Sequence, residues 1–128
     1  MKATPIDLPE AFANLPPVAA GTPPVVPDEV ENAFAMLSEF GNGGVFATSF
    51  SGKTPWERHR GDELVLVIEG QGELILLIDD EEERRELSKG QLIIVPEKTW
   101  HRFETTGLQV LGVTPQPTET SAERRPQT

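Results

Sequence analysis

The 128 residues of the sequence are enough for one domain with a hydrophobic core and too few for a multidomain enzyme. The chain has 11 lysines and arginines against 21 aspartates and glutamates, and the formal charge of -10 disfavours nucleic acid and anionic membrane surfaces as partners. With no cysteine, the protein has neither disulfides nor a thiolate metal site. Any chemistry must therefore use histidines, carboxylates or hydroxyls.

Both ends of the chain are expected to lie outside the domain. Seven prolines among the first 28 residues predict an extended N-terminal arm, with one short helical turn near Leu8 to Phe12. The polar, unpatterned sequence from Pro115 onward predicts a tail. We therefore predict an arm at 1–28, a domain at 29–114 and a tail at 115–128. The absence of a long apolar segment favours a cytoplasmic protein with no membrane partner.

Short apolar segments between turn signals predict an all-β domain. In chain order these segments are VFATSF, LVLVI, LILLI, LIIV and LQVLGV. Segments of this length between turn residues are typical of strands, and the uninterrupted ones indicate strands covered on both faces. No helix of useful length is predicted between them, so we expect the strands to be antiparallel.

Three polar segments between these strands are candidate turns or loops. The glycine-rich segments 41–44 (GNGG) and 69–72 (EGQG) each predict a hairpin turn, because glycine readily adopts a positive φ. The acidic segment 79–86 (DDEEERRE) predicts a charged loop exposed to solvent.

The only two histidines lie in patterns that indicate a metal site. In an extended chain Glu57, His59 and Glu63 share one face, and Val65 and Val67 continue that face into an apolar strand. This arrangement favours a site at the mouth of a barrel.

The second histidine, His101, follows a strand and a proline-containing turn. Two neutral imidazoles and two carboxylates suit a divalent first-row metal with positions left for water or substrate. A single histidine between arginines, as at position 59, is also typical of a surface residue, and spacing alone leaves both interpretations open.

Two spaced motifs resemble those of the cupin family. The first cupin motif, G-x5-H-x-H-x3,4-E-x6-G, is similar to Gly52-x4-Glu57-x-His59-x3-Glu63-x6-Gly70, with glutamate in place of the first histidine. The second motif, G-x5-P-x-G-x2-H-x3-N, has its counterpart in the segment from Gly90 to Thr105. That segment keeps the motif's Gly90, Pro96 and His101, and has Lys98 for the glycine and Thr105 for the asparagine.

The resemblance implies a fold, a ligand set and a class of chemistry. The fold would be an antiparallel double-stranded β-helix, or jelly-roll barrel, preceded by the proline-rich arm. The metal ligands would be Glu57, His59, Glu63 and His101, with Fe, Mn, Ni or Zn as the candidate ions. If Glu57 is not a ligand, it can act as a catalytic general base, since burial in an apolar barrel raises the pKa of a carboxylate. The substitution at position 57 is equally compatible with loss of the metal.

Two functions of different class follow from these expectations. The first is a metal-dependent enzyme of oxygenase or isomerase type that acts on a small organic molecule. The alternative is a non-catalytic barrel that binds a small ligand or sugar. In either case the apolar strands and the proline-rich arm predict a homodimer.

Alternation along the strands predicts that several other conspicuous side chains point away from the proposed site. Trp56 and Trp100 each precede a candidate ligand, so alternation along the strand points them to the opposite face. The same argument places Arg58, Arg60 and Arg102 away from the site.

Overall fold

The computed structural model describes residues 3–17, 31–121 and 126. Within these residues the elements are α1 Leu8–Ala13, β1 Glu31–Phe40, β2 Gly43–Lys53, β3 Trp56–His59, β4 Glu63–Ile78, β5 Glu81–Ser88, β6 Leu92–Val95, β7 His101–Pro115 and β8 Thr118–Ser121. The helix confirms the helical turn predicted near the N-terminus. Asp7 caps it by accepting a hydrogen bond from the Glu10 amide at 2.9 Å.

The eight strands form one curled antiparallel sheet, which confirms the predicted jelly-roll fold. The long strand β7 is central, with β4 on one side and β2 and β3 on the other. β1 pairs with β2, β8 pairs with β3, and β6 and β5 pair with the beginning and end of β4. The β1–β2 turn at residues 41–42 confirms the first predicted hairpin.

Two hydrophobic clusters cover opposite faces of the sheet. The larger one contains Phe50, Val65, Val67, Leu74, Leu76, Leu87, Val95, Leu108 and Val110. The smaller one contains Trp56, Ile75 and Trp100. Because successive residues of a strand point to opposite faces, β4 supplies Leu74 and Leu76 to one cluster and Ile75 to the other. This double coverage explains the uninterrupted LILLI sequence.

The second predicted hairpin, at EGQG, is wrong. β4 runs without a turn through residues 69–72, and its register against β7 shifts between Val67 and Glu69 and between Gln71 and Gly72. Gly70 has φ +88, and a Cβ added there would lie 2.2 Å from the carbonyl oxygen of Gly107. Glycine is therefore required for a bulge and a close backbone approach within a continuous strand.

The acidic segment is also not the loop that its composition predicts. Only Asp79 and Asp80 form a turn, with φ of 52 and 65, and the following residues form β5 along the end of β4. Leu87 is buried in the larger cluster, whereas most other β5 side chains are exposed. The strand forms because its partner β4 supplies the apolar face.

Part of the C-terminal segment also belongs to the sheet. Residues 118–121, which the sequence places in a tail, form β8 and pair with β3. At the other end of the chain, the amide of Phe34 on β1 donates to the carbonyl of Pro16 at 3.1 Å. Residues 18–30, the remainder of the predicted arm, lie outside the described residues, so the division into arm, domain and tail stays a prediction. In the part of the chain that the structure describes, no helix has the length and hydrophobicity to cross a membrane.

Candidate metal centre

Three strand termini bring the sequence-predicted site residues together. β3 ends at His59, β4 begins at Glu63 after a short bend, and β7 begins at His101. Gly61 allows the bend between the first two, because its φ of +133 is unfavourable for other residues. Glu57 is the cross-strand partner of His101 in the β3–β7 pair. The convergence of all four side chains thus agrees with the sequence expectation.

The four side chains form a compact, buried cluster. Glu57, His59 and His101 each offer one ligand-type atom, and these atoms lie within 4.8 Å of one another. The carboxylate of Glu63 lies between the two imidazoles: its Oε1 is 3.1 Å from Nε2 of His101 and its Oε2 is 3.5 Å from Nε2 of His59. Only 1% of His101, 4% of His59 and 7% of Glu63 is exposed. Glu57 is partly buried and lines the adjoining cavity.

Hydrogen bonds on the far side of each ring direct both Nε2 atoms into the cluster. Nδ1 of His101 donates to the carbonyl oxygen of Thr99 at 3.0 Å, and Nδ1 of His59 lies 2.9 Å from Oγ1 of Thr118. A carbonyl only accepts, so the Nδ1 atom of His101 carries the proton and its Nε2 presents a lone pair in the neutral ring. Both Nε2 atoms are buried without a hydrogen-bond partner among the described residues.

This arrangement fits a cation at the centre of the cluster. A lone pair of a neutral imidazole facing a carboxylate oxygen is repulsive unless a proton or a metal ion lies between them. Nitrogen and carboxylate donors are also the ligands that first-row divalent metals accept. The orphaned Nε2 atoms and the carboxylate of Glu63 therefore form a donor set suited to a metal.

The side chains of the cluster also shift the pKa values of Glu57, Glu63 and His101. Burial by itself would raise the pKa of Glu63, but the close imidazoles of His101 and His59 favour the ionised carboxylate, outweigh burial and hold that pKa well below its usual range. Burial would lower the pKa of His101, but Glu63, the Thr99 carbonyl and Glu57 together raise it. Burial raises the pKa of Glu57, although His101 opposes the shift.

Sequence reasoning missed three polar residues that support the cluster. The hydroxyl of buried Thr114, on β7, donates to Oε2 of Glu63. Thr118, on β8, contacts His59 and donates to Oε1 of Gln116 at 3.4 Å. Thr114 lies on the same face of β7 as Val110 and Gly112, because these residues are two positions apart along the strand. Strand alternation could therefore have predicted the face on which Thr114 lies. No pattern in the C-terminal segment identifies Thr118.

The tryptophans and arginines lie outside the site, as their parity predicts. Trp56 and Trp100 pack in the smaller hydrophobic cluster. The guanidinium of Arg58 lies 4.5 Å from the ring centre of Trp100, and that of Arg102 lies 4.7 Å from the ring centre of Trp56. These cation–π contacts hold the arginines on the opposite face from the histidines.

The fold and the cluster together define a jelly-roll barrel with a candidate metal centre between its strand ends. A family model described as Cupin domain matches residues 50–113, half of the chain and the region that contains all four site residues. The chain belongs to this family, and the resemblance seen in its two motifs is confirmed. No curated protein matches the sequence.

Solved structures support the same fold at low sequence identity. A cupin-like protein from Thermotoga maritima shares 22% identity, with a TM-score of 0.61 over 71% of this chain and 76% of the other. A conserved protein of unknown function from Streptococcus pyogenes shares 18% identity, with a TM-score of 0.64 over 91% and 90% of the two chains. Hydroquinone 1,2-dioxygenase from a Sphingomonas species, with 4-hydroxybenzoate bound, shares 18% identity, with a TM-score of 0.61 over 86% and 72%.

Proposed function

We propose that this protein binds a divalent first-row transition metal through Glu57, His59, Glu63 and His101 and acts as a metal-dependent enzyme on a small organic molecule. The observation that carries the proposal is the pair of buried Nε2 atoms that lack hydrogen-bond partners and face the carboxylate of Glu63. The donor set suits Fe, Mn, Ni or Zn. Related barrels of the same fold include a dioxygenase with a small aromatic molecule bound, which is consistent with this class of chemistry.

Each residue of the cluster has a distinct role in this proposal. His59, His101 and Glu63 hold the metal, and Thr118, Thr99 and Thr114 orient these three ligands through hydrogen bonds. A bound metal would supply Lewis-acid polarisation of a substrate oxygen and open coordination positions.

Glu57 completes the ligand set or, when it is not coordinated, exchanges a proton with the substrate. Its raised pKa suits that second role, because a general acid–base group works best when its pKa approaches the working pH. Glu57 lines the cavity, so its carboxyl group could reach a proton of a substrate bound there.

Elemental analysis of the purified protein tests the metal. The protein is prepared without an affinity tag or chelator, beside the double variant His59→Ala/His101→Ala and the control Glu81→Ala, which alters an exposed residue of β5. We expect about one equivalent of Fe, Mn, Ni or Zn in the wild type and in the control, and none in the double variant. Activity screens for oxygenase and isomerase reactions then follow with the identified metal.

A wild-type protein that holds no metal after reconstitution with each of the four ions would overturn the proposal. The non-catalytic small-ligand barrel would then become the leading function. We also propose that the protein is a cytoplasmic homodimer.

A further inference from the structure

A cavity of about 360 Å³ adjoins the metal cluster and defines the space for a ligand. Glu57, His59 and Glu63 form part of its wall, so a molecule in the cavity would reach the proposed metal. The volume is within the range of pockets for small molecules, which starts at about 300 Å³. The following inference rests on the proposed function and concerns the chemical class of the molecule that this cavity binds.

Aromatic side chains form much of the cavity wall. Phe34 and Phe46 stack with their ring centres 5.4 Å apart and their planes inclined by 17°. Phe50 and Phe103 meet edge to face, also at 5.4 Å. Paired faces and edges of this kind favour a further aromatic ring, because ring quadrupoles add to the gain from burying apolar surface.

The charge of the cavity disfavours an anionic ligand. Among the described residues, no lysine or arginine lines the cavity, whereas Glu57 and Glu63 do. Glu57 and Glu63 can contribute up to two negative charges, which would offset the charge of one divalent metal, so the site offers little net positive charge to a carboxylate ligand. An anion would lose its hydration here without a compensating cation, which is costly in an apolar site.

Asn32 offers a polar group that could accept a hydrogen bond from a ligand. Oδ1 of Asn32 is buried and has no hydrogen-bond partner among the described residues, and Asn32 lines the cavity. A buried acceptor without a partner is unfavourable unless a ligand supplies a donor. An amide oxygen accepts from a hydroxyl and does not bind a carboxylate.

We infer that the cavity binds an uncharged small aromatic molecule with a hydroxyl group, a neutral phenol or aryl alcohol. Its ring packs against the phenylalanine pairs, and its hydroxyl donates to Oδ1 of Asn32. The same features exclude aliphatic dicarboxylates and benzoates as preferred ligands.

Fluorine NMR with two probes of similar size tests the charge preference. At pH 7, 4-fluorophenol is neutral and 4-fluorobenzoate is ionised, and each is titrated into metal-loaded and metal-depleted protein. We expect 4-fluorophenol to bind at least about tenfold more tightly in both forms, the factor that one hydrogen bond and avoided desolvation supply. Equal or tighter binding of the benzoate, or no binding of either probe, would overturn the inference.

The role of Asn32 is tested by a matched pair of asparagine variants. Asn32→Ala should weaken 4-fluorophenol by about tenfold, the equivalent of one hydrogen bond, and leave fluorobenzene, which has no hydroxyl, unchanged. Asn42→Ala, in the exposed turn between β1 and β2, should change neither affinity. Equal weakening of both probes by Asn32→Ala would show a structural effect and contradict the assigned hydrogen bond.

The two proposals fail separately in these experiments. Binding of 4-fluorophenol to a protein that never takes up metal would contradict the proposed function and leave the cavity inference intact. Metal uptake without binding of either probe would contradict the inference and leave the metal site intact.

Discussion

Glu57 occupies the position where the family motif has its first histidine, and its carboxyl lies among both imidazoles and Glu63. If it is a ligand, its replacement by glutamine should weaken metal binding by at least about tenfold, because an amide oxygen is neutral and a poorer ligand. The check is the dissociation constant for Mn²⁺ or Zn²⁺ in Glu57→Gln. Glu81→Gln, on the exposed face of β5, is the matched control.

Activity separates the two roles of Glu57. A variant that keeps full metal affinity but loses turnover identifies Glu57 as the general base and contradicts the four-ligand site. Unchanged affinity together with unchanged turnover would remove Glu57 from both roles.

Protons compete with the metal for the imidazoles of the cluster. Because Glu63 raises the pKa of His101, the ion pair between them stabilises the metal-free protein below the ordinary pKa of histidine, and this stabilisation is lost as the pH rises through the raised value. Metal binding has the opposite dependence, since it requires neutral rings. The increase in Tm that metal produces should therefore be largest above the raised pKa of His101 and decline as the pH falls through it.

Calorimetry of metal-loaded and metal-free protein between pH 4 and 8 measures this dependence. The variant His59→Ala/His101→Ala should show no effect of metal on Tm at any pH. A metal effect that persists at pH 4 would argue against coordination by histidine.

At the scale of the elements, β8 connects the C-terminal segment to the site. Thr118 contacts Nδ1 of His59, and the main chain around it pairs with β3. Removing such a hydrogen bond behind a metal ligand typically lowers metal affinity by about 10- to 100-fold. We expect this loss in Thr118→Val, which preserves side-chain shape and strand propensity.

The same strand offers a control for this prediction. Thr120 lies two residues along β8, is exposed and pairs with Glu57, so Thr120→Val tests the cost of a valine beside the site without removing the hydrogen bond to His59. Equal metal affinity in the two variants would show that Thr118 does not orient the ring. A spectroscopic readout is the ligand-field absorption of bound Co²⁺, which should shift in Thr118→Val alone.

The elements that sequence predicted poorly are those whose conformation depends on a partner strand. EGQG contains the glycines of a hairpin, but the same residues suit a bulge, and only the approach of Gly107 to Gly70 decides between them. DDEEERRE has almost no apolar face of its own and becomes β5 because LILLI is its neighbour. Neither the bulge nor the strand β5 can be predicted from the residues of its own segment.

The convergence of the four candidate ligands was easier to predict than these elements, because it depends on residues that are close in sequence. Parity places Glu57, His59 and Glu63 on one face, and the second motif supplies His101 at the start of another strand. The structure brings these four together. Parity also gives the face of Thr114, but no pattern marks Thr118, whose contact with His59 depends on the pairing of β8 with β3.

For the whole molecule, the exposed apolar side chains indicate where a second copy would bind. Leu92 and Ile94 are 58% and 48% exposed and share one face of β6, an edge strand that pairs with β4 and with no other strand of the described part of the chain. The other exposed pair, Met36 and Phe40, lies on β1. The amide of Phe34 on this strand already donates a hydrogen bond to the carbonyl of Pro16 in the N-terminal segment. Apolar residues on an uncovered edge favour association, so β6 is our candidate for the interface of the proposed homodimer.

Light scattering at micromolar concentration should therefore give twice the 14.0 kDa of one chain. Leu92→Ser/Ile94→Ser removes apolar area from the proposed interface, and we expect the dimer to dissociate at least about tenfold more readily, because each buried leucine or isoleucine contributes about 1.5–3 kcal/mol. Met36→Ser/Phe40→Ser removes a comparable pair from β1 and should leave the dimer intact. Dissociation by the β1 variant alone would place the interface on the opposite edge of the sheet, and a wild-type monomer would remove the dimer from the proposal.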